Sequence, residues 1–309
     1  DNLLQNKKGR VIAEKLPTQK VTRFKKNDIL IANIRPYLKK IWQADIDGGA
    51  SSDVLVVRPN DVIDYNFLYY ALTQDSFFEY VMKGSKGTKM PRGDKSQIMN
   101  FVIPDLEIDE QIKIGKLLKS IDQKIQINNQ INQELEAMAK TLYDYWFVQF
   151  DFPDQNGKPY KSSGGKMVYN PELKREIPEG WGVESVGNLL DKVTKAEKIE
   201  NNSIEFIGEI PVIDQSQKFI AGFTNNENAL LQAQDGHVIF GDHTRVVKYI
   251  NFDYARGADG TQVLISNNEN ISNVLLYHMI EDFDLSNYGY ARHFKFLKEK
   301  TVIVPDKEV

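Results

Sequence analysis

The chain has 309 residues, 41% hydrophobic and 11% aromatic, enough for well-packed cores and, at this length, for two domains rather than one. Cysteine is absent, which excludes disulfides and thiolate metal sites and fits a reducing, cytoplasmic setting. No run approaches the roughly 18 unbroken apolar residues of a membrane span. The formal net charge of −4, from 39 basic and 43 acidic side chains, does not by itself suggest nucleic acid, so the question is where the cations cluster.

In chain order, residues 24–58 are predicted as strands, because FKKNDILIANI, KKIWQADI and SDVLVVRP carry β-branched and aromatic runs. Asp61 to Gly84 reads as helix, with Phe67, Leu68, Ala71, Leu72, Phe78 and Tyr80 at helical spacing. A Gly- and Lys-rich loop, KGSKGTKMPRGDKS, fills 83–96, and NFVIP at 100–104 reads as a short strand ended by Pro104. Residues 107 to about 147 form a long helix. Ile114, Ile121, Asn128, Leu135 and Leu142 fall on one seam position, and Leu118, Ile125, Asn132, Ala139 and Trp146 on the other, over five heptads. Such a helix runs ~60 Å at 1.5 Å per residue and calls for a second helix to cover it; a long surface helix is the alternative. Residues 151–177, rich in Gly, Pro, Ser and Lys, have linker composition. Beyond Trp181 strand-like runs return (IEFIGEIPVID, GHVIFG, VVKYINF, TQVLIS), followed by a helical stretch at 271–283 and TVIVP at 301–305.

The second half repeats the first, weakly but in order. Asp28-Ile-Leu-Ile matches Asp235-Gly-His-Val-Ile; Arg35 with Lys39 and Lys40 matches Arg245 with Lys248; Val54-Leu55 matches Val263-Leu264. Asn66-Phe-Leu-Tyr-Tyr matches Asn273-Val-Leu-Leu-Tyr, and Val102-Ile-Pro-Asp matches Ile303-Val-Pro-Asp, at offsets between 207 and 201. The expected organisation is a first domain at 1–106, a long helix at 107–150, a linker at 151–177 and a second domain at 178–309. Comparing the two halves further implies that about 30 residues before the first domain and a second long helix after the last are not in this sequence.

Three basic constellations are candidates for chemistry. The first is Arg35, Lys39 and Lys40 beside Tyr37. The second is Lys83, Lys86, Thr88, Lys89, Arg92 and Lys95 in the Gly-rich loop. The third is split between His243-Thr244-Arg245 with Lys248 and Arg292-His293-Phe-Lys295. Cations neutralise phosphates, Arg bonds a guanine edge, and Asn or Gln reads adenine, so Gln215-Ser216-Gln217 suits a polar reader. The competing reading is solvated loop charge. His237, Asp242 and His243 are only a loose metal pattern, and no metal is assigned. No phosphate-binding Gly loop, helical His-Glu-x-x-His or Gly-x-Ser-x-Gly elbow is present, so no catalytic residue is assigned.

Several of these stretches resemble the specificity (S) subunit of Type I restriction-modification enzymes. They are Ile177-Pro-Glu-Gly-Trp181, the helix from Gln130 to Phe147, Asp242-His-Thr-Arg245, Ala255-Arg256-Gly-Ala-Asp-Gly260, Ile34-Arg-Pro-Tyr-Leu38 and Gly87-Thr-Lys-Met-Pro-Arg92. The resemblance implies a mixed α/β fold: two target-recognition domains joined by long conserved helices, each reading half of a bipartite, gapped duplex DNA target. It implies docking of two methyltransferase (M) subunits on those helices, with restriction (R) subunits added through the complex. It also implies no cofactor on this chain, S-adenosylmethionine lying in the methyltransferases and Mg²⁺ and ATP in the restriction subunits. A protein-binding adaptor and the recognition segment of a fused restriction-methylation enzyme are the alternatives.

Overall fold

The chain is seen in a computed structural model that describes residues 2–12, 20–191, 193, 195–289 and 292–306. It divides into two compact units, Asp1–Gln133 and Glu134–Val309, both mixing helix and sheet. Among the described residues, no helix is long and apolar enough to cross a membrane.

The first unit opens with five strands, β1 (Thr22–Phe24), β2 (Ile29–Ala32), β3 (Ile41–Gln43), β4 (Gly48–Ala50) and β5 (Val54–Val57). β2 is central, antiparallel to both β3 and β5, while β1 pairs with β4. Successive side chains of a strand face opposite ways, and both faces of β2 are covered. Ile29 and Ile31 enter a cluster with Leu68, Leu72, Phe77 and Phe78, whereas Leu30 packs with Leu3, Phe24 and Ala50.

The helical run expected over 61–84 is two helices, α1 (Tyr65–Thr73) and α2 (Asp75–Lys83), broken at Gln74, whose ψ is 148°. On one continuous helix, Phe77 would point about 180° away from Leu68 at 3.6 residues per turn. The break turns both into one core. Asp64 caps α1 by accepting from Asn66 N at 3.0 Å and Phe67 N at 2.9 Å. After α3 (Lys95–Met99), the expected strand at 100–104 is not formed: Asn100 lies in a turn and 101–104 have no ladder partner among the described residues.

The long helix α4 (Ile108–Tyr143) continues through a wider turn to Val148. It rests on the first unit through polar contacts at helical spacing. Gln111 accepts from Asp64 N at 3.1 Å, Lys119 donates to Gln43 and Asn66 at 3.2 Å, and Tyr70 donates to Asp122 at 2.7 Å. Gly115 sits where a Cβ would meet Asp64 Oδ1 at 2.7 Å and Phe67 N at 2.8 Å. Most seam residues face solvent: Ile114, Ile121, Ile125, Leu135 and Leu142 are 37–56% exposed and Asn128 and Asn132 are exposed, whereas Leu118 is half-buried and Trp146 packs into the second unit. The exposed stripe also takes in Leu117, Ile131 and Met138, outside the expected heptad positions.

In the second unit, residues 151–177 are folded, which corrects the linker expectation. Strands β6 (Met167–Asn170) and β7 (Arg175–Pro178) form a hairpin. Phe150, Phe152, Ile177 and Trp181 are buried together with Trp146 against them, Phe152 stacking on Trp181 at 5.0 Å. The glycines that suggest a linker serve turns instead, Gly157 and Gly164 having φ of 72° and 91°.

The rest of this unit comprises β8 (Gly182–Ser185), β9 (Leu190–Asp191), β10 (Ile210–Ile213), β11 (Gly222–Thr224), β12 (Leu230–Leu231), β13 (His237–Gly241), β14 (Val247–Ile250), β15 (Tyr254–Arg256), β16 (Thr261–Ser266), α5 (Asn273–Glu281), α6 (Phe294–Lys298) and β17 (Thr301–Val304). The sheets run β14-β13-β16-β9 and β11-β10-β15-β12, and β17 pairs with β8. The last turns of α4 belong here: Lys140 pairs with Asp282, and Tyr143 stacks on His278.

The repeat is architectural. β13 lies between β14 and β16 as β2 lies between β3 and β5, and β12 pairs with β15 as β1 pairs with β4. Val238 and Phe240 enter the cluster of Leu276 and Ile280 while Ile239 faces the other way, as Ile29, Ile31 and Leu30 do. This places Ile29 opposite Val238 in the repeat, an offset of 209 at this strand rather than 207. Asn27 and Gly236, both left-handed at φ 73° and 75°, enter the equivalent strands.

Gly115→Val is expected to destabilise the first unit by about 1–3 kcal/mol, because backbone and a capping carboxylate occupy the space. Urea unfolding followed with one probe in each unit checks this; the second unit's midpoint should not move.

Candidate nucleic-acid interface

The hairpin β13–β14 carries a five-residue loop, Asp242–Val246, closed by Gly241 N to Val246 O and Arg245 N to Gly241 O, both 2.8 Å. Arg245 takes a left-handed φ of 63°, and a side chain at Gly241 would collide with Thr244 Oγ1 at 2.1 Å. Three neighbours brace the loop. Asp242 N donates to Gly260 O at 2.7 Å, Asp242 O accepts from His293 N at 2.8 Å, and its carboxylate accepts from Phe294 N at 2.8 Å. Gln215 accepts from His243 N at 3.1 Å and donates to Asp259 O at 2.7 Å, and Thr244 Oγ1 donates to Gln215 O at 2.6 Å.

This bracing sorts the sequence candidates. His243, Arg245, Gln217, Arg292 and Lys295 are exposed, as is Lys218, which is not among the residues the sequence points to. The polar groups of Gln215 and Thr244 are engaged in the brace, although Thr244 is exposed, and Ser216 Oγ donates to Asp214 at 2.6 Å. Arg256 is half-buried on β15. His293 and Lys248 are only 3% and 5% exposed and are removed from the set of outward-facing cations. His293 Nδ1 donates to Asp242 O at 3.0 Å. Lys248 Nζ donates to Asp214 O at 2.7 Å and Lys218 O at 2.5 Å; burial pushes its ammonium below the usual lysine range, against the opposing pull of Asp214. His237, whose Nδ1 lies 3.1 Å from Tyr254 OH, does not converge with Asp242 and His243, and no group of three potential metal ligands occurs among the described residues.

In the first unit the hairpin β2–β3 carries the longer loop Asn33–Lys40. Arg35 and Lys39, left-handed at φ 52° and 49°, flank the short turn Pro36–Leu38, where Pro36 presets the backbone. Arg35 N donates to Pro91 O at 2.8 Å. Lys86 and Arg92 exchange backbone hydrogen bonds at 3.0 Å, which makes Gly87, Thr88, Lys89 and Met90 the tip of the Gly-rich loop. Several cations there are already paired: Arg92 with Asp53 at 2.9 Å, Lys86 with Asp94 at 3.8 Å, and Lys39 with Asp75 at 2.9 Å. Asp75 also takes Lys7 at 2.6 Å, and these two lysines, Lys7 foremost, pull its carboxyl down to about 2. Arg35, Lys40, Lys89 and Lys95 make no ion pair among the described residues, and Tyr37 is 48% exposed.

The two loops share one bracket. Asn33 N donates to Asp53 O at 2.8 Å as Asp242 N donates to Gly260 O, and Asn33 O accepts from Gly93 N at 3.1 Å as Asp242 O accepts from His293 N. Arg35 and Arg245 therefore lie in the same loop of the repeat, but not at the same residue of it. Counted from the return strand, the residue matching Arg245 is Lys39: each precedes the carbonyl, Lys40 or Val246, that accepts from the last residue of the outgoing strand. By the same register Lys248, opposite Ile239, corresponds to Trp42, opposite Leu30.

Residues 2–137, nearly the whole first unit, match the family described as Type I restriction modification DNA specificity domain. That match covers 44% of the chain, so the likeness is to the domain and lies in the first unit. Relatives include the MjaIX specificity subunit of Methanocaldococcus jannaschii, 32% identical over 150 residues, and the HindI specificity subunit of Haemophilus influenzae, 33% identical over 166. Those matches cover 48% and 51% of this chain and 32% and 35% of the relatives, so the chain spans about a third of their length. The fold is similar to the crystal structure of the Type I restriction-modification S subunit from M. genitalium, at a TM-score of 0.52 and 17% identity, covering 97% of this chain and 78% of that one.

Gln215→Ala removes the acceptor for His243 N and one tie to the Asp259 turn. A hydrogen bond of about 1 kcal/mol implies exchange of the His243 amide roughly fivefold faster, with amides of β13 unchanged, measurable by hydrogen exchange.

Proposed function

We propose that this chain is the non-catalytic DNA-recognition subunit of a Type I restriction-modification enzyme, each unit reading one half of a bipartite, gapped duplex target. The observation that carries this is the shared bracket: two units of one architecture each hold a basic hairpin loop by the same backbone hydrogen bonds. Left-handed Arg35 and Arg245 are conformations an ordinary residue keeps only where its surroundings enforce them, and strained positions of this kind gather at functional sites. Exposed Arg, Lys and Gln on a rigid loop suit duplex DNA, the cations for phosphates or a guanine edge and Gln217 for adenine.

The exposed stripe of α4, from Ile114 to Leu142, is the proposed seat of two methyltransferase subunits, through which restriction subunits join. In this scheme S-adenosylmethionine belongs to the methyltransferases, Mg²⁺ and ATP to the restriction subunits, and the assembly works in the cytoplasm. A purely protein-binding adaptor would use the same stripe but gives the two braced basic loops no task.

Arg245→Ala is expected to cost about 1–3 kcal/mol on the preferred duplex and to relax sequence choice in one half-site; Arg35→Ala should do so in the other half. Selection from a random duplex pool followed by titration checks this. A uniform loss on every sequence, with a salt slope shallower by about 0.9, would make the residue a phosphate contact.

A further inference from the structure

Lys248 has no role in a surface that meets DNA directly, since only 5% of it is exposed. Its Nζ donates to the carbonyls of Asp214 at 2.7 Å and Lys218 at 2.5 Å, the two ends of one loop exposed at Gln217 and Lys218, with Asp214 Oδ1 at 3.8 Å. Asp214 in turn accepts from Ser216 N at 2.9 Å and Ser216 Oγ at 2.6 Å, so the near side of the loop is fixed from within. Gln217 is the residue between these anchors whose side chain is exposed and makes no hydrogen bond among the described residues.

Burying an ammonium is costly and persists only where its donors are satisfied. The sheet does not require one here. At the matching place in the first unit stands Trp42, packed edge-on against Phe24 at 5.7 Å and covered by the Arg10 guanidinium at 4.7 Å. The cation is thus particular to the second unit and to the loop it ties. We propose that Lys248 is a positioning residue for sequence recognition, tying both ends of the 214–218 loop to β14 and thereby setting where Gln217 and Lys218 stand against the DNA. The inference rests on the recognition reading given above and names a residue of the same site.

The test uses the full chain, a random-sequence duplex pool to find its preferred duplex, and a scrambled duplex as control. Lys248→Met, which keeps the stem and removes the donors, is expected to weaken the preferred duplex about tenfold while the scrambled duplex changes less than about twofold. Gln217→Ala should weaken the preferred duplex similarly, and the double variant should be no weaker than Lys248→Met by more than about twofold, because the contact is already lost. Should Lys248→Met melt early, Lys248→Gln, which retains a donor for one carbonyl, is expected to show a partial loss confined to the preferred duplex. Unchanged preference in a folded Lys248 variant, equal loss on both duplexes, or full additivity with Gln217→Ala overturns the positioning role alone. A native chain that enriches no sequence overturns the recognition reading and the positioning role with it.

Discussion

The carbonyl that begins each basic hairpin loop, Asn33 in one unit and Asp242 in the other, is captured by an N–H from about fifty to sixty residues further along, Gly93 or His293. A free loop loses about 1–2 kcal/mol of backbone entropy per residue when it is ordered on binding. A loop tied at its first residue, at its return strand and across to a neighbouring turn has met most of that cost on folding, which is how binding sites gain from rigid support. The brace leaves few side chains free, and those few have fixed positions. In the second unit it takes up Gln215, Thr244 and Asp242 and presents His243, Arg245 and Gln217.

Charge follows the same economy. The net charge of −4 conceals a local arrangement in which Asp53, Asp75 and Asp94 engage Arg92, Lys39 and Lys86, while Arg35, Lys40, Lys89 and Lys95 stay unpaired among the described residues. Exposed pairs of this kind contribute little to stability, so their larger effect is on the field of the loop face and on which cations are free to meet a phosphate.

Much of the fold was legible because its signals are local. Ile29-Leu-Ile and Val238-Ile-Phe alternate between two cores, the heptads of α4 run for many turns, and the order of matches across the two halves exposed the repeat. What escaped depends on tertiary contact. The break at Gln74 exists to bring Phe77 to the core that Leu68 already lines, and no capping residue announces it. Residues 151–177 look like a linker because turn residues and linker residues are the same residues; the alternating Phe150 and Phe152, both buried with Trp181, were the available signal. The candidate site was legible as basic loops, but how its side chains are disposed was not. Lys248 is written like any surface lysine, and only the packing of β14 against the 214–218 loop buries it. Arg35 and Arg245 were matched by type, whereas loops of different length put Lys39 at the place of Arg245.

The central claim is that both units, not one, touch the DNA through these braced loops. Hydroxyl-radical footprinting of the full chain on its preferred duplex tests it most directly. Two protected patches separated by unprotected base pairs are the expected result; a single protected patch, or protection that does not depend on sequence, would contradict it.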